Sequence, residues 1–325
     1  MKFLHLVTLT TAALALPSDT RSVTRPQAKT CTSPKVRKNW AKATSAEKRS
    51  YINAVLCLTT KPSRLRVATH TTLYDDFGYV HSQLTNPQRI HGEPVFLPWH
   101  RYFVQVYEDA LHSCGYTGSA MYWDWVSEWA APSKSAVWDP VLGFGGNGSD
   151  SADGNGPSKL RVVNGPFRNL RPTYWNGAVD PHWLSRDWSP GHPEDGQPEM
   201  IGNGYGPGIM DEVNSWTVYE RFHPALESSP HGAVHAGVGG GRGDMGPTSS
   251  PNDPIFFLHH TMVDKVWWQW QQRDPQNRTF AYKGVRNDGQ NATLADVMPM
   301  LGLAADGVVR DYMDTKGGAL CYVYQ

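Results

Sequence analysis

What most limits how this chain can fold is where its histidines stand. Apolar residues recur at helical spacing over roughly 70–84, and His81 shares a face with Leu73, Phe77, Val80 and Leu84. A second pattern opens at Pro98, read as the first residue of a helix running to about Cys114, and sets His100 beside Val104, Tyr107 and Leu111. A third runs from Ile255 to about Arg273 behind the cap Asn252-Asp253-Pro254, with His260 on the face of Phe256, Asp264 and Trp267. His231 and His235 are four residues apart, which puts both imidazoles on one side of a helical turn. An imidazole turned into an apolar interior needs a hydrogen bond or a metal. For any one of these residues a hydrogen-bonded core histidine is the ordinary reading. Several together call for a mainly helical domain whose helices gather around shared imidazoles.

The remaining pattern fits one domain, 31–325. Thr44-Ser45-Ala46-Glu47 is a capping box before a helix with Tyr51, Ile52, Val55 and Leu56 on its apolar face. Helical signals return at Glu212–Arg221 and at His231–His235. From Asp139 to Gly208 the chain turns rich in Gly, Pro, Asn and Asp, and Phe167, Tyr174, Trp175, Trp183 and Trp188 make it a packed loop. The Trp-rich runs Met121–Trp125 and Trp267–Trp270 read as core, ahead of a carbohydrate-binding strip. Thirty basic and 30 acidic residues cancel, and nucleic acid or an anionic membrane would demand a basic surplus. No stretch nears the ~18 continuous apolar residues of a membrane span.

The first residues read as an export signal. Residues 1–15 combine Lys2, a short apolar run and the small-residue end Ala13-Leu14-Ala15, and 16–30 form a flexible lead or pro-segment. Asn147, Asn277 and Asn291 each begin an N-glycosylation sequon. Cys31, Cys57, Cys114 and Cys321 are even in number and widely spaced, which suits two disulfides in an oxidising compartment. Of three pairings, Cys31–Cys321 with Cys57–Cys114 is preferred. A secreted glycoprotein is expected.

The HxxxH pair is not a zinc-protease motif, because Gly232 stands where that chemistry needs Glu. Six imidazoles without Cys or carboxylate suit copper or zinc, and copper tops the divalent affinity order. Two groups of three would leave an open position on each metal.

Two long motifs give these histidines a context. His91-Gly92-Glu93-Pro94-Val95-Phe96-Leu97-Pro98-Trp99-His100-Arg101-Tyr102-Phe103 resembles the copper A signature of tyrosinases and catechol oxidases, and the run Asn252 to Trp267 resembles their copper B signature. The likeness extends from about Cys31 to Gln325 and is nearest the short secreted fungal members. It implies a central four-helix bundle holding a type 3 dicopper site, with long irregular loops and few short strands. Carried over residue by residue, the copper ligands are His81, His91 and His100, then His231, His235 and His260. His70 competes for the first place, but the Tyr74–His81 context fits the family's helix better. His259 becomes a neighbour of the ligands, and His112, His182, His192 and His223 surface or structural residues. With O2 as co-substrate, two copper ions so held oxidise o-diphenols to o-quinones or insert oxygen ortho to a phenol. Glu227, four residues before His231, is expected to hold a water that takes the proton of an incoming phenol. Asp264 either orients a ligand ring or forms a helix-surface pair with Arg101.

The departures refine the expectation. Arg89 stands where many members carry a Cys that crosslinks the second copper A histidine. Gly232 replaces the Asn common in strong monophenol hydroxylases, and Ala236 offers no basic group to a substrate carboxylate. Both favour diphenol oxidation or an enzyme dedicated to one phenolic secondary metabolite. A hemocyanin-like O2 carrier would share the six-His site but add a covering domain. Tyr322-Val323-Tyr324 looks like the family's core-closing tyrosine motif, and with no domain after it the site should be open or covered by the N-terminal lead.

Overall fold

A computed structural model of the chain describes residues 31–68, 71–85, 89–150, 160–317 and 319–325. The expected signal peptide, the lead segment and His70 lie outside them. Helix α1 (Ser45–Leu58) begins at the capping box: the Glu47 amide donates to the Thr44 hydroxyl, and the Thr44 amide to the Glu47 carboxylate at 2.9 Å. Such reciprocal caps satisfy two amides that a helix start leaves without partners. Among the described residues seven further helices follow: α2 (Leu73–Thr85), α3 (Phe96–His112), α4 (Pro207–Ser215), α5 (Tyr219–Leu226), α6 (Gly232–Gly239), α7 (Ile255–Gln272) and the single turn α8 (Pro275–Arg278). A five-residue π turn, Glu227–His231, joins α5 to α6.

Two boundaries differ from the sequence pattern, and a third, the expected start of α7 at Ile255, is kept with one residue of its cap singled out. Helix α3 starts at Phe96, so Pro98 is its third residue and not its first; an amide N–H in this first turn would have no intrahelical partner, so proline's lack of one costs nothing. Glu212–Arg221 is not one helix. Trp216 is extended (ψ 125°) and its carbonyl accepts the Trp270 indole N–H at 2.7 Å, a tertiary contact that overrides local propensity. Before α7 it is the Asp253 carboxylate that accepts the Ile255 amide, at 3.2 Å, while Asn252 donates to the Tyr174 carbonyl at 2.6 Å.

Aromatic rings lock the central helices. Phe77 of α2 meets Phe103 and Tyr107 of α3 and Phe257 of α7 edge-on at 5.3–5.5 Å, and Tyr107 stacks on Phe257. Each such ring contributes ~1.5–3 kcal/mol by burial, so this cluster fixes the spacing of the helices that carry His81, His100 and His260. Trp123, Trp125, Trp267 and Trp270 are buried as expected of core.

Strands are few and short, and they pair in twos: β1 (Lys35–Arg37) with β8 (Tyr322–Tyr324), β2 (Gly148–Asp150) with β3 (Leu160–Val162), β4 (Tyr174–Trp175) with β5 (Ala178–Val179), and β6 (Val297–Met298) with β7 (Gly307–Val308). The β1–β8 pair is parallel and joins the two ends of the described chain. The disulfide Cys31–Cys321 sits beside it, and Cys57–Cys114 ties α1 to the end of α3; both are the preferred pairings.

Under this seam lies a buried charge cluster. Asp264 of α7 accepts from Arg101, from Arg37 at 3.3 Å, and from the hydroxyls of Tyr322 and Tyr324. Burial alone would raise its carboxyl; Arg101 and Arg37 pull it below the usual range. Asp264 therefore pairs with Arg101, but in the interior and not on a helix surface, and it orients no histidine ring. Arg37 also meets Glu108 at 3.1 Å, and Arg101 lies 3.6 Å over the Trp267 ring.

The described part of the long loop is packed, and buried Arg186 is why. It grips Asp253 through two bonds of 2.7 and 2.9 Å and donates to the carbonyls of Phe144, Gly145 and Gly146. Nearby His182 is fully buried against Asp244 at 2.8 Å, a structural role. His112 is half-buried on the Gly118 carbonyl, His192 is exposed and His223 is buried. Burial would lower the His182 pKa, but the bond and charge of Asp244 outweigh it and raise the value. A histidine raised on folding contributes stability that is full below its unfolded pKa of ~6.5 and is lost as pH climbs through the folded value. The thermal midpoint should therefore fall more between pH 6 and pH 9 in the wild type than in His182→Gln. Equal slopes would contradict this.

Candidate dicopper site

Two groups of imidazoles converge between the central helices. His81 comes from the middle of α2, His91 from the loop after it, and His100 from the second turn of α3. His231 closes the π turn, His235 lies in α6, and His259 and His260 are adjacent on α7. Within each group the ligand atoms lie inside 4.8 Å of one another. The groups touch: the His100 and His260 rings stack at 4.3 Å, and Phe96 packs against both His100 (4.7 Å) and His231 (4.8 Å).

Backbone carbonyls aim the rings. Nδ1 of His81 donates to Thr248 O at 2.6 Å, His100 to Phe96 O at 2.8 Å, His231 to Glu227 O at 2.9 Å and His235 to Met245 O at 2.7 Å. His91 Nδ1 meets the Thr85 hydroxyl at 3.3 Å. With Nδ1 carrying the proton, each Nε2 presents a bare lone pair. His81 and His100 Nε2 then face each other at 3.4 Å, two acceptors that cannot bond each other. His231 Nε2, His260 Nδ1 and both nitrogens of His259 are buried with no partner. Burial holds the imidazoles neutral, His81 down at about 3 and His235 at about 4, and the others also shifted down. Neutral rings with converging lone pairs fit a cation that supplies what the protein withholds. Soft-to-borderline, all-nitrogen donors suit copper.

All six histidines expected from the sequence arrive in the two groups. His259 comes with them: it stacks on His231 (5.4 Å, 19° between planes) and sits 5.9 Å from the Trp125 ring. His91 and His235 are the half-buried members and mark the opening, with half-buried Gly232 and exposed Ala236 beside them. A Cβ at Gly232 would meet nothing nearer than the Glu227 carbonyl at 3.7 Å, so the opening has room. Exposed Arg89 lies two residues from His91.

The Glu227 carboxylate turns toward the loop of the first group and accepts the Gly92 amide at 2.6 Å. Burial pushes its carboxyl up to about 7, against the opposing effect of the Gly92 bond. Its carbonyl meanwhile holds His231, so one residue touches the supports of both groups.

Sequence reasoning missed the carbonyls of Thr248 and Met245, which orient His81 and His235 from the glycine-rich turn before α7. No residue-type signal marks a carbonyl. Arg186 was missed too, although Asp253, its buried partner, stands inside the copper B-like motif.

Comparison with known proteins agrees with the geometry. The common central domain of tyrosinase matches residues 71–273, well over half of the chain. A tyrosinase-like protein, phomQ1, of Diaporthe leptostromiformis is 38% identical over 91% of this chain and 78% of its own length. The N-acetyl-6-hydroxytryptophan oxidase ivoB of Emericella nidulans is 28% identical over 89% of this chain and 92% of its own. Among solved structures, a polyphenol oxidase variant from Thermothelomyces thermophila is 28% identical, covers 91% of this chain and 90% of that one, and superposes with a TM-score of 0.77. Two imidazole groups on a shared helical core, a matched central domain and relatives of similar length lead to one conclusion: this chain belongs to the tyrosinase family, the type 3 copper phenol oxidases.

Proposed function

We propose that the chain oxidises the phenolic ring of one secondary metabolite, an o-diphenol or a close relative, to the o-quinone at the expense of O2. The observation that carries this reading is the pair of imidazole groups whose bare Nε2 atoms converge across a 4.3 Å ring stack. His81, His91 and His100 would hold one copper ion, and His231, His235 and His260 the other. When bound, that pair of metals supplies the two-electron exchange between O2 and the phenol. The chain's own residues do the rest. Thr248, Phe96, Glu227 and Met245 carbonyls fix the rings, and the buried Phe96 ring packs against His100 and His231. Glu227, with its raised carboxyl at the loop of His91, is placed to hold a water that accepts the phenol proton.

Dedication to one metabolite rests on the opening. Gly232 and Ala236 themselves offer no cation to a substrate carboxylate, and a relative is named for a hydroxylated, acylated tryptophan. The copper-loaded protein should consume O2 and form quinone with a catechol bearing an uncharged side arm at least ~10-fold faster than with tyrosine, a margin of ~1.4 kcal/mol. O2 binding without quinone from any phenol would point to a carrier instead.

We also propose that the protein is exported, with cleavage after Ala15 and N-glycans at Asn147, Asn277 and Asn291, all three exposed. Among the described residues no helix is long and apolar enough to cross a membrane. A mature chain that still carries residues before Leu16, or no mass loss on deglycosylation, would reject this.

A further inference from the structure

The helix that delivers the second imidazole group is not regular. α5, the turn Glu227–His231 and α6 run on without a break, all in right-handed helical conformation at their joints: Leu226 (φ −68°, ψ −40°), Glu227 (−67°, −48°), His231 (−64°, −53°) and Gly232 (−62°, −36°). Only the hydrogen bonding changes. The Gly232 amide reaches back five residues to the Glu227 carbonyl, so the turn holds one residue more than an α-helix would. Buried Pro230 explains it. A proline has no N–H for the carbonyl four residues back, Leu226, and its ring collides with that carbonyl in a regular helix. Widening the turn relieves the clash.

The extra residue has a rotational consequence. One residue of an α-helix is ~100° of turn, so a regular helix through this segment would rotate α6 by about that much relative to α5. A rotation of that size would break contacts that each flank now makes. On α5, the Tyr219 hydroxyl donates to Pro94 O at 2.6 Å and Phe222 stacks on Trp270 at 4.7 Å. On α6, Gly237 lies so close to the Met200 carbonyl that a Cβ would sit 2.0 Å from it. That carbonyl belongs to a residue in left-handed conformation (φ 53°), as does the β-branched Ile201 beside it (φ 57°). α5 is thus pinned to the loop of His91 and α6 to a strained strap, and the π turn reconciles the two.

We infer that Pro230 is a positioning residue for the dicopper site: by forcing a five-residue turn it sets the rotation of α6 that brings His235 to the group of His231, His259 and His260. The inference rests on the dicopper reading above. Regularising the helix swings His235 off Met245 O and away from the group, while the first group, on α2 and α3, is untouched.

Copper content and electron paramagnetic resonance test this. Two Cu(II) ions coupled in one site give no resonance, whereas a lone Cu(II) does. Wild type should hold two ions per chain and be silent. Pro230→Ala should hold one, with a mononuclear signal. Pro224→Ala, which removes a helix-interior proline from α5 outside the turn, should match wild type. Deleting the exposed Ser228 together with Pro230→Ala removes the surplus residue, leaves a regular helix with α6 in its original rotation, and should restore two silent ions; this variant also serves if Pro230→Ala alone does not fold. Two silent ions in Pro230→Ala, equal losses in Pro224→Ala, or no recovery in the deletion variant each overturn the inference. A wild type that takes up fewer than two ions overturns the proposed function instead.

Discussion

Replacing His260 with alanine is expected to cut bound copper from two ions per chain to one and to leave no measurable phenol oxidation. His235 Nε2 faces His260 Nε2 at 3.3 Å, and the His100 ring stacks on His260, so this imidazole lies where both groups meet. On the proposed assignment, removing it takes a donor from one metal and a wall from the other. His259→Ala is the informative contrast. Its ring lies one helical step away, ~100° round α7, stacked on His231 and tilted against Trp125. Its loss should loosen the neighbouring ligands and weaken copper ~10–100-fold, the usual size for a group that supports ligands without being one, while two ions still bind at saturating copper. Metal analysis after titration separates the variants. If His259→Ala retained one ion and His260→Ala two, the ligand assignment on α7 would be reversed.

Asp264→Asn should be the most destabilising single change away from the imidazoles, by ~3–5 kcal/mol. The carboxylate is the shared partner of two buried guanidiniums and two buried tyrosine hydroxyls. Glu108 remains for Arg37, but Arg101 keeps only carbonyls and Gln271. An amide in place of the carboxylate leaves buried positive charge uncompensated. For a chain of this size the thermal midpoint should drop by roughly 5–8 °C. Asp264 has a lowered pKa, so its contribution is present above the unfolded value near ~4 and is lost as acid titrates through the folded value. The variant should accordingly lose less than wild type on acidification. A midpoint within ~2 °C of wild type would mean that the cluster is replaceable.

How much of this was legible in the sequence follows from what kind of group does the work. Histidines on 3.6-residue apolar faces announce themselves, and α2, α3 and α7 were readable for that reason. The cap at Thr44 and the preferred cysteine pairing were readable too, since both rest on residue type and spacing. Boundaries set by contacts from far along the chain were not: the break at Trp216 depends on an indole 54 residues away. The least legible parts were backbone groups. Carbonyls of Thr248 and Met245 orient two imidazoles, yet any residue carries a carbonyl. The π turn sits between these extremes. Pro230 is visible, but only the pinned flanks show that the helix continues through it.

The seam between β1 and β8 governs the order in which the molecule can be made. Arg37 and Tyr324 meet across 287 residues, and closing so long a loop carries a large entropic cost before any contact repays it. Until Tyr322 and Tyr324 arrive, Asp264 lacks two of its donors, and the interior beneath it is short of partners. An N-terminal portion of the chain, however long, cannot finish its own core. Completing the interior beneath Asp264 therefore takes both ends of the described chain, and the Cys31–Cys321 bond holds them together once they have met.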